Sequence, residues 1–282
     1  MSINETVLEM HFHRPLMDLF RETIGLGTNA GINFYKYSPQ RECFIGFDQA
    51  FVKTELAEEA FFQLLKKSAL QSDFRLRETF IGYFLQFKVV KEMRVRKKYT
   101  PIGVSSVPHY RVSLDTTMNM NTGKSQHELL YRLSRNPGAM VYYACPMLFE
   151  RAALYEIDID LDTLRLAEVD SCPSTYLDNE SHFIYFDQTN TVPIWCSEPV
   201  EGKTITPEQF AAELRRQIFQ SEHRQSALNL LSLLGNIDSV GADRRSKVFE
   251  GSESPNILPL VGEALTIIRV IHEPKSHANM PI

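Results

Sequence analysis

Three residues in two apolar segments have types and spacing that suit metal-assisted chemistry. Asp48 ends the first segment in Gly46-Phe47-Asp48, and the second contains Gln86-Phe87-Lys88. Because alternate residues of a strand point to the same face, Gln86 and Lys88 project together while Phe87 turns into the core. Asp48 can then bind a divalent cation, with Gln86 and the Phe87 carbonyl as further oxygen ligands. Lys88 remains to orient an attacking water or to neutralise charge that develops at phosphorus.

The same residues also have a plainer interpretation. Many buried strands end in an Asp, and a strand lysine commonly runs its stem along apolar surface with its ammonium in water. By spacing alone this structural interpretation is the better one. A lysine surrounded by Phe84, Phe87 and Val89, however, needs a partner or a function, since burying an unpaired charge is costly.

Composition restricts the classes of protein that are possible. The chain has 282 residues, of which 43% are hydrophobic and 23% charged, so it can bury a sizeable core. A net charge of −5 argues against a surface that is basic throughout, although a local basic groove remains possible. There is no signal peptide pattern and no apolar stretch of the roughly 20 residues that a membrane helix needs. We therefore expect a cytoplasmic protein that does not associate with membranes.

Cysteine and histidine give no metal or cofactor motif. The four cysteines are far apart, and no C-x-x-C or zinc-ligand spacing connects them, so we expect free buried thiols: Cys43, Cys145, Cys172 and Cys196. His11 and His13 are spaced like metal ligands on a strand, but no acidic or Cys partner lies at a suitable spacing, which favours a surface or capping role. The chain also has no P-loop, dinucleotide fingerprint or serine elbow.

Apolar periodicity and turn residues predict the elements of the first half. They are a helix opened by Pro15 over 15–24, strands over 32–37, 43–51 and 80–90, a helix over 125–134 with Ser125 as N-cap, and a strand over 139–145. A helical insertion is expected over 54–70, and an irregular segment over 91–121. The order without the insertion is helix, strand, strand, strand, helix, strand.

The second half is less regular. Strands are expected over 164–169 and 182–186. Thr206 and Gln209 form a second capping box, with Pro207 at the first helical position, and start a helix to about residue 234 that is interrupted near Ser221. Residues 235–255 are polar and rich in Gly and Ser, which predicts a loop. Segment 257–271 is compatible with either a helix or a strand.

This element order, with the acid on the second strand and Gln-x-Lys on the third, resembles the PD-(D/E)xK (restriction-endonuclease-like) nuclease superfamily. The resemblance covers about residues 9–146 and rests on Gly46-Phe47-Asp48, on the segment 83–88 and on the helix at 126–130. It implies an α/β protein: a nuclease core in residues 1–150, with a mixed sheet flanked by helices, and a C-terminal α/β extension in 151–282 with the long helix at about 206–234. It also implies Mg²⁺ or Mn²⁺ bound by Asp48 and Gln86, with Lys88 serving the hydrolytic water.

One departure from the superfamily pattern bears directly on metal binding. Gln86 stands where an acidic residue is more common, so the site has one negative charge fewer. Members with this replacement sometimes take an acid from the first helix. Glu22 and Glu9 are both candidates here, and the sequence does not choose between them.

Two features suit contact with nucleic acid. Segment 88–98 holds six basic residues and one acid, and in an extended chain Arg94, Arg96 and Lys98 lie on one side. They form either a strip that follows phosphates or a solvated loop. Gln126 starts the helix after the third strand and suits either a phosphate or base contact or helix capping.

The sequence thus predicts a Mg²⁺-dependent nuclease whose substrate is more plausibly DNA than RNA. Because the chain has no motor motif, target choice would depend on a partner protein or on residues 151–282. The resemblance suggests a prokaryotic setting, either antiviral defence or a mobile element. The alternative is a nuclease-fold module that does not cut and serves as a nucleic-acid-binding or scaffolding subunit.

Overall fold

The computed structural model describes residues 4–25, 31–37, 58–70, 77–104, 108–118, 123–149, 152, 154, 159–178, 180–188, 192–248 and 265–272. The strand expected over 43–51, with Cys43 and Asp48, lies outside these residues. The described chain is mixed α/β, with two sheets and five α-helices, which confirms the coarse fold class. None of the described helices is both long and apolar enough to cross a membrane.

The bounds of the α-helices are α1 (Glu5–Gly25), α2 (Glu58–Leu70), α3 (Gln126–Ser134), α4 (Pro207–Gln220) and α5 (His223–Val248). Those of the strands are β1 (Gly31–Tyr37), β2 (Arg77–Phe87), β3 (Lys91–Met93), β4 (His109–Ser113), β5 (Met140–Pro146), β6 (Leu164–Glu168), β7 (Phe183–Phe186), β8 (Ile194–Cys196), β9 (Val200–Glu201), β10 (Thr204–Ile205) and β11 (Leu265–His272).

The larger sheet has six strands in the order β1-β11-β2-β5-β6-β10. Among its described strands, β2 and β5 run parallel, and the other neighbours are antiparallel. Alternate residues of β2 divide between its two faces: Tyr83 and Leu85 pack with α1 and α4, whereas Phe80 and Phe84 pack with α2, α3 and α5. A strand buried on both faces is apolar at nearly every position, which is why β2 and β5 are evident in the sequence.

Helix α1 begins at Glu5, so the start expected at Pro15 is wrong. Its buried stripe recurs at helical spacing from Leu8 through Phe12 to Ile24. Pro15 lies inside the helix at a half-buried position. An internal proline costs about 3 kcal/mol, and burial of the stripe against the sheet outweighs that cost.

Both helix starts marked by capping residues are confirmed. The Ser125 hydroxyl accepts from the Glu128 N–H at 3.1 Å at the start of α3. At α4 the reciprocal pair is complete, with Thr206 Oγ1 accepting from Gln209 N–H and Gln209 Oε1 accepting from Thr206 N–H. The expected interruption near Ser221 is confirmed as well, because Ser221 ends α4.

Two segments expected to be irregular contain regular structure. Helix α5 continues to Val248, so the loop predicted over 235–255 is wrong for residues 235–248. The helix is already established by the buried residues Leu230 and Leu234, and extending it costs less than starting it. Segment 91–121 contains β3 and β4, short strands of mixed polarity whose alternation is too brief to detect. They belong to the second sheet, in the order β3-β4-β7-β8-β9.

The question left open for segment 257–271 is answered from residue 265 onward, where β11 is a strand between β1 and β2; residues 257–264 lie outside the described residues. Its residues Leu265, Ile267, Ile268 and Val270 are buried. The strand that carries Gln86 therefore has β11 on one side and β5 on the other. Strands from both halves of the chain therefore share this sheet.

Candidate functional site

Lys88 directly follows β2 and is only 4% exposed. Its N–H donates to the Ala144 carbonyl at 2.9 Å, which extends the pairing between β2 and β5 by one residue. The backbone is therefore fixed at this point, and the side chain leaves the sheet from a rigid position. A buried ammonium requires polar partners to compensate for lost hydration.

Two residues from different helices provide those partners. Lys88 Nζ lies 3.2 Å from Glu5 Oε1 and 3.4 Å from Oε2. It also donates to Gln126 Oε1 at 3.0 Å. The first turn of α1, the end of β2 and the first turn of α3 thus meet at one ammonium group. We call Glu5, Gln86, Lys88 and Gln126 the Lys88 cluster.

Glu5 is the residue that the sequence argument missed. Of the two helix acids considered, Glu22 is exposed and lies 17 positions further along α1, about 25 Å from Glu5. Glu9 lies one turn from Glu5 and is half-buried. The sequence did contain a signal for Glu5. The apolar spacing of Leu8 and Phe12 extends the helix toward the N-terminus and so places Glu5 in its first turn.

Gln86 is 2% exposed, and its amide Nε2 donates to the Phe87 carbonyl at 3.3 Å. The two groups expected to provide oxygen ligands therefore lie against each other at the end of β2. In the described part of the chain, no three His, Cys, Asp or Glu side chains are grouped so as to hold a metal ion. The oxygens of Glu5, Gln86 and the Phe87 carbonyl are hard donors of the kind that Mg²⁺ and Mn²⁺ accept, and Asp48 would add a second carboxylate.

A neutral, buried polar group lies behind the Lys88 cluster. His127 Nδ1 is 2.8 Å from the Tyr143 hydroxyl, and its Nε2 is 3.4 Å from Cys172 Sγ. The pKa of His127 is lowered to about 4, mainly by burial and to a lesser extent by its electrostatic interactions with His182 and Lys88. Tyr143 is the cross-strand neighbour of Gln86, and burial raises its pKa well above the ordinary value. At neutral pH His127 and Tyr143 are therefore both uncharged beside the Lys88 cluster.

The basic segment is less uniform than the sequence suggests. The strand covers only Lys91–Met93, and Arg94, Arg96 and Lys98 lie in the loop that follows it. Arg94 pairs with Glu92 at 2.7 Å, and Arg96 donates to the Pro101 carbonyl at 2.8 Å. The Lys98 ammonium lies 5.2 Å from the centre of the Tyr99 ring. Arg96 therefore shapes the loop, while Arg94 and Lys98 remain exposed to solvent.

The remaining expectations for histidine and cysteine are resolved in part. His11 and His13 lie on α1 and not on a strand, so they project in nearly opposite directions and cannot act as a strand pair. Both are half-buried. The three cysteines that the structure describes are free and buried, as expected: Cys145, Cys172 and Cys196.

Comparison with known proteins adds no relative. No family model matches the chain, and neither a curated protein nor a solved structure matches it.

Proposed function

We propose that this protein is a metal-dependent nuclease that hydrolyses phosphodiester bonds, with DNA as the favoured substrate, on a core of the PD-(D/E)xK type. One observation carries the proposal: the buried Lys88 ammonium lies at the end of the Gln-x-Lys strand, between the Glu5 carboxylate and the Gln126 amide. It brings together a lysine and a glutamine that the sequence assigned to the site, and adds an acid from the first helix.

The burial of Lys88 supports a chemical role. Removing an ammonium from water costs several kcal/mol unless strong partners compensate. Glu5 is such a partner, yet 43% of its side chain is exposed, so the carboxylate remains accessible from solvent. An ion pair with one buried and one accessible member suits a site where a charged substrate approaches.

The connection between the strands supports the nuclease core. Parallel strands β2 and β5 are joined by a segment that includes α3, whose first residue contacts Lys88. The element order of the superfamily has a helix in the same position, between the Gln-x-Lys strand and the next strand of the core. The superfamily core is built from strands that follow one another in the chain. Here β11, from the second half of the chain, pairs with β2, which departs from that order.

The residues that would hold a divalent ion are Glu5, Gln86 and Asp48, with the Phe87 carbonyl. Such an ion would polarise the phosphodiester and lower the pKa of a bound water. Lys88 would donate a hydrogen bond to the attacking water or to a phosphoryl oxygen, where negative charge increases in the transition state. Gln126 fixes the position of the ammonium and can move to a phosphate when substrate displaces it.

Cleavage of plasmid and linear DNA in Mg²⁺ or Mn²⁺ tests the proposal. We expect the wild type to cleave and Lys88→Met, Glu5→Gln and Asp48→Asn each to lose at least about 100-fold in rate, since each removes a charge that acts on the reacting groups. Glu22→Gln is the matched control, because it makes the same change at an exposed position of the same helix. Melting curves of all variants separate lost chemistry from lost fold. Wild-type rates for all three site variants would refute the assignment.

A non-cutting module is the second candidate, and one observation favours it. Lys88 has both a carboxylate and an amide as partners, a pairing that also anchors α1 and α3 to the sheet without any chemistry. A protein of this kind would bind DNA with unchanged affinity in the presence of a chelator. It would leave DNA intact under every metal condition, and Lys88→Met would then lower the melting temperature only.

A further inference from the structure

A serine, a histidine and an aspartate outside the Lys88 cluster are connected by hydrogen bonds on the second sheet. His182 Nε2 lies 2.6 Å from Asp178 Oδ1, and His182 Nδ1 lies 3.1 Å from Ser197 Oγ. His182 is 2% exposed, while Ser197 is exposed and the Asp178 side chain is 52% exposed. The hydroxyl is thus accessible to solvent, and the imidazole that contacts it is held below the surface.

The sheet explains why these three residues meet. Phe183 of β7 and Cys196 of β8 are cross-strand partners, so His182 and Ser197 occupy the next position of the same antiparallel pair. Asp178 lies four residues before His182, and its Oδ1 accepts from the Glu180 N–H at 2.9 Å, which orients the carboxylate. The backbone of His182 is fixed too, since its carbonyl accepts from Leu114 N–H at 3.0 Å.

Tyr176 holds the imidazole plane in place. Its ring stacks on His182 with centroids 4.5 Å apart and planes within 4°. The tyrosine hydroxyl accepts from the Glu198 N–H at 2.9 Å and donates to the Glu198 carbonyl. The ring of His182 therefore has one face covered and both nitrogens directed at side-chain oxygens.

The hydrogen bonds determine which nitrogen carries the proton. The pKa of the Asp178 carboxyl is lowered, mainly by its hydrogen bond with His182. The carboxylate is therefore ionised and can only accept hydrogen bonds. Nε2 of His182 must then bear the hydrogen, which leaves a lone pair on Nδ1 in the neutral ring. The Ser197 hydroxyl consequently donates to Nδ1. A serine hydroxyl that donates to an oriented neutral imidazole is the arrangement that activates a nucleophile.

We propose that Ser197 is an activated nucleophile that accepts an acyl group from a neutral or cationic ester, with His182 as general base and Asp178 as positioning residue. The Oγ–H proton moves to His182 Nδ1 while Oγ bonds to the ester carbonyl carbon. The bond from that carbon to the leaving alcohol oxygen then breaks, and His182 Nδ1 returns the proton to the alcohol. Acylation needs no further reactant, and it is independent of the proposed nuclease activity.

The surroundings restrict the acyl donor and the course of the reaction. Glu180, whose N–H contacts Asp178, and Glu198, which follows Ser197 in the chain, are both exposed, so the local charge disfavours phosphorylated or carboxylated esters. The N–H that follows the nucleophile, that of Glu198, already donates to Tyr176 and is not directed at a developing oxyanion. Acylation by an ester with a good leaving group tolerates the lack of this donor better than hydrolysis of the acyl-serine, whose leaving group is a serine alkoxide, so we expect the acyl-serine to accumulate.

The test is acylation of the full chain by p-nitrophenyl acetate, followed by release of p-nitrophenolate, intact mass and peptide mapping. We expect one acetyl group per chain at Ser197 and none in Ser197→Ala. Asp178→Asn should slow acylation at least about 100-fold, because an amide can donate to Nε2 and so favour the tautomer whose Nδ1 carries the hydrogen. Ser113→Ala is the matched control, an exposed serine on neighbouring β4 that should leave the rate unchanged.

A pH profile separates an acting base from a merely structural contact. In the wild type the rate should fall on acidification, because only a neutral imidazole can accept the Ser197 proton; Asp178, Glu180 and Glu198 on the solvent side and His127 on the interior side are the titratable groups around it. Asp178→Asn should weaken that dependence while melting like the wild type. Acetylation at Ser197 no faster than at Ser113, or an Asp178→Asn rate equal to the wild type, would overturn the proposal.

Discussion

Lys88 connects three segments that lie far apart in the chain. Its ammonium is buried with a carboxylate from α1 and an amide from α3, so removing either partner leaves a charge with incomplete compensation. The neighbouring Gln86 places an amide where a carboxylate is more common in the superfamily that the sequence resembles. At the residue scale, the proposed metal site and the protonation of the interior can each be tested by single substitutions.

Gln86→Glu is expected to tighten binding of divalent ions. The new carboxylate would lie next to the Phe87 carbonyl, and attraction between partly buried charges about 4 Å apart is on the order of several kcal/mol before desolvation. Calorimetric titration with Mn²⁺ should rank Gln86→Glu tightest, by at least about 10-fold over the wild type, with Asp48→Asn and Glu5→Gln weakest. Glu22→Gln should bind like the wild type. Superimposable isotherms for all five proteins would exclude a shared metal site.

Protonation of His127 should contribute to acid unfolding. Its pKa is lowered to about 4 in the folded protein, so the folded state binds a proton less readily than the unfolded state, whose histidine titrates near 6.5. Stability from this group is complete above pH 6.5 and declines as the pH falls toward 4, by about 3 kcal/mol in total. Urea unfolding at pH 7, 5.5 and 4 should show a smaller loss for His127→Asn than for the wild type. Parallel losses in the two proteins would exclude His127 as the cause.

At the scale of elements, the loop after β3 combines structural and exposed cations. Arg96 holds the Pro101 carbonyl, whereas Arg94 and Lys98 extend into solvent. Lys97 N–H also donates to Thr100 Oγ1 at 2.8 Å, and the Tyr99 carbonyl accepts from Cys196 Sγ of the second sheet at 2.8 Å. Arg94 and Lys98 can therefore be replaced without breaking the hydrogen bonds that hold the loop.

Replacing Arg94 and Lys98 together by Ala should weaken DNA binding and flatten its salt dependence. If each contacts one phosphate, the slope of log affinity against log salt should fall by up to roughly two units. The Glu92 pairing of Arg94 is exposed and competes only weakly with a phosphate. Replacing Lys66 and Lys67 of α2 by Ala removes two exposed charges elsewhere and serves as the control. If both double variants change the slope equally, the loop makes no specific contribution.

For the whole molecule, β11 is the element that connects the two ends of the chain. It pairs with β1 on one side and β2 on the other, and it contributes buried residues to both faces of the larger sheet. The residues after 150 also supply α4, which packs on the same face as α1. The second half is thus integral to the sheet that carries Lys88.

A chain ending after residue 264 should fail to fold, whereas one ending after residue 272 should fold. The shorter chain lacks the buried Leu265, Ile267, Ile268 and Val270, each worth about 1.5–3 kcal/mol, against a total stability of about 5–15 kcal/mol. Near-ultraviolet circular dichroism and thermal melting should show no cooperative transition for the shorter chain. Ile268→Ala in the full chain should cost about 2–5 kcal/mol. A wild-type transition in the shorter chain would contradict this role for β11.

The sequence by itself determined the features that depend on neighbours within a few residues. The caps of α3 and α4 are formed by side chains that reach three positions along the chain, and they lie where Ser125 and Thr206 predict them. The apolar runs of β2 and β5 follow from burial on both faces, which each strand displays alone. For the same reason Gln86 and Lys88 could be selected as candidates before any contact was known.

Only the tertiary structure decided which distant groups meet. Glu5 lies 83 positions from Lys88, and Arg269 of β11 pairs with Glu78 across 191 positions. No local pattern encodes such pairs, because they arise when packing of α1 and insertion of β11 bring separate segments to one sheet. His182 and Ser197 meet in the same way, through the register of β7 and β8. Local propensity specifies where elements begin and end, whereas the burial of their shared faces decides which side chains become neighbours.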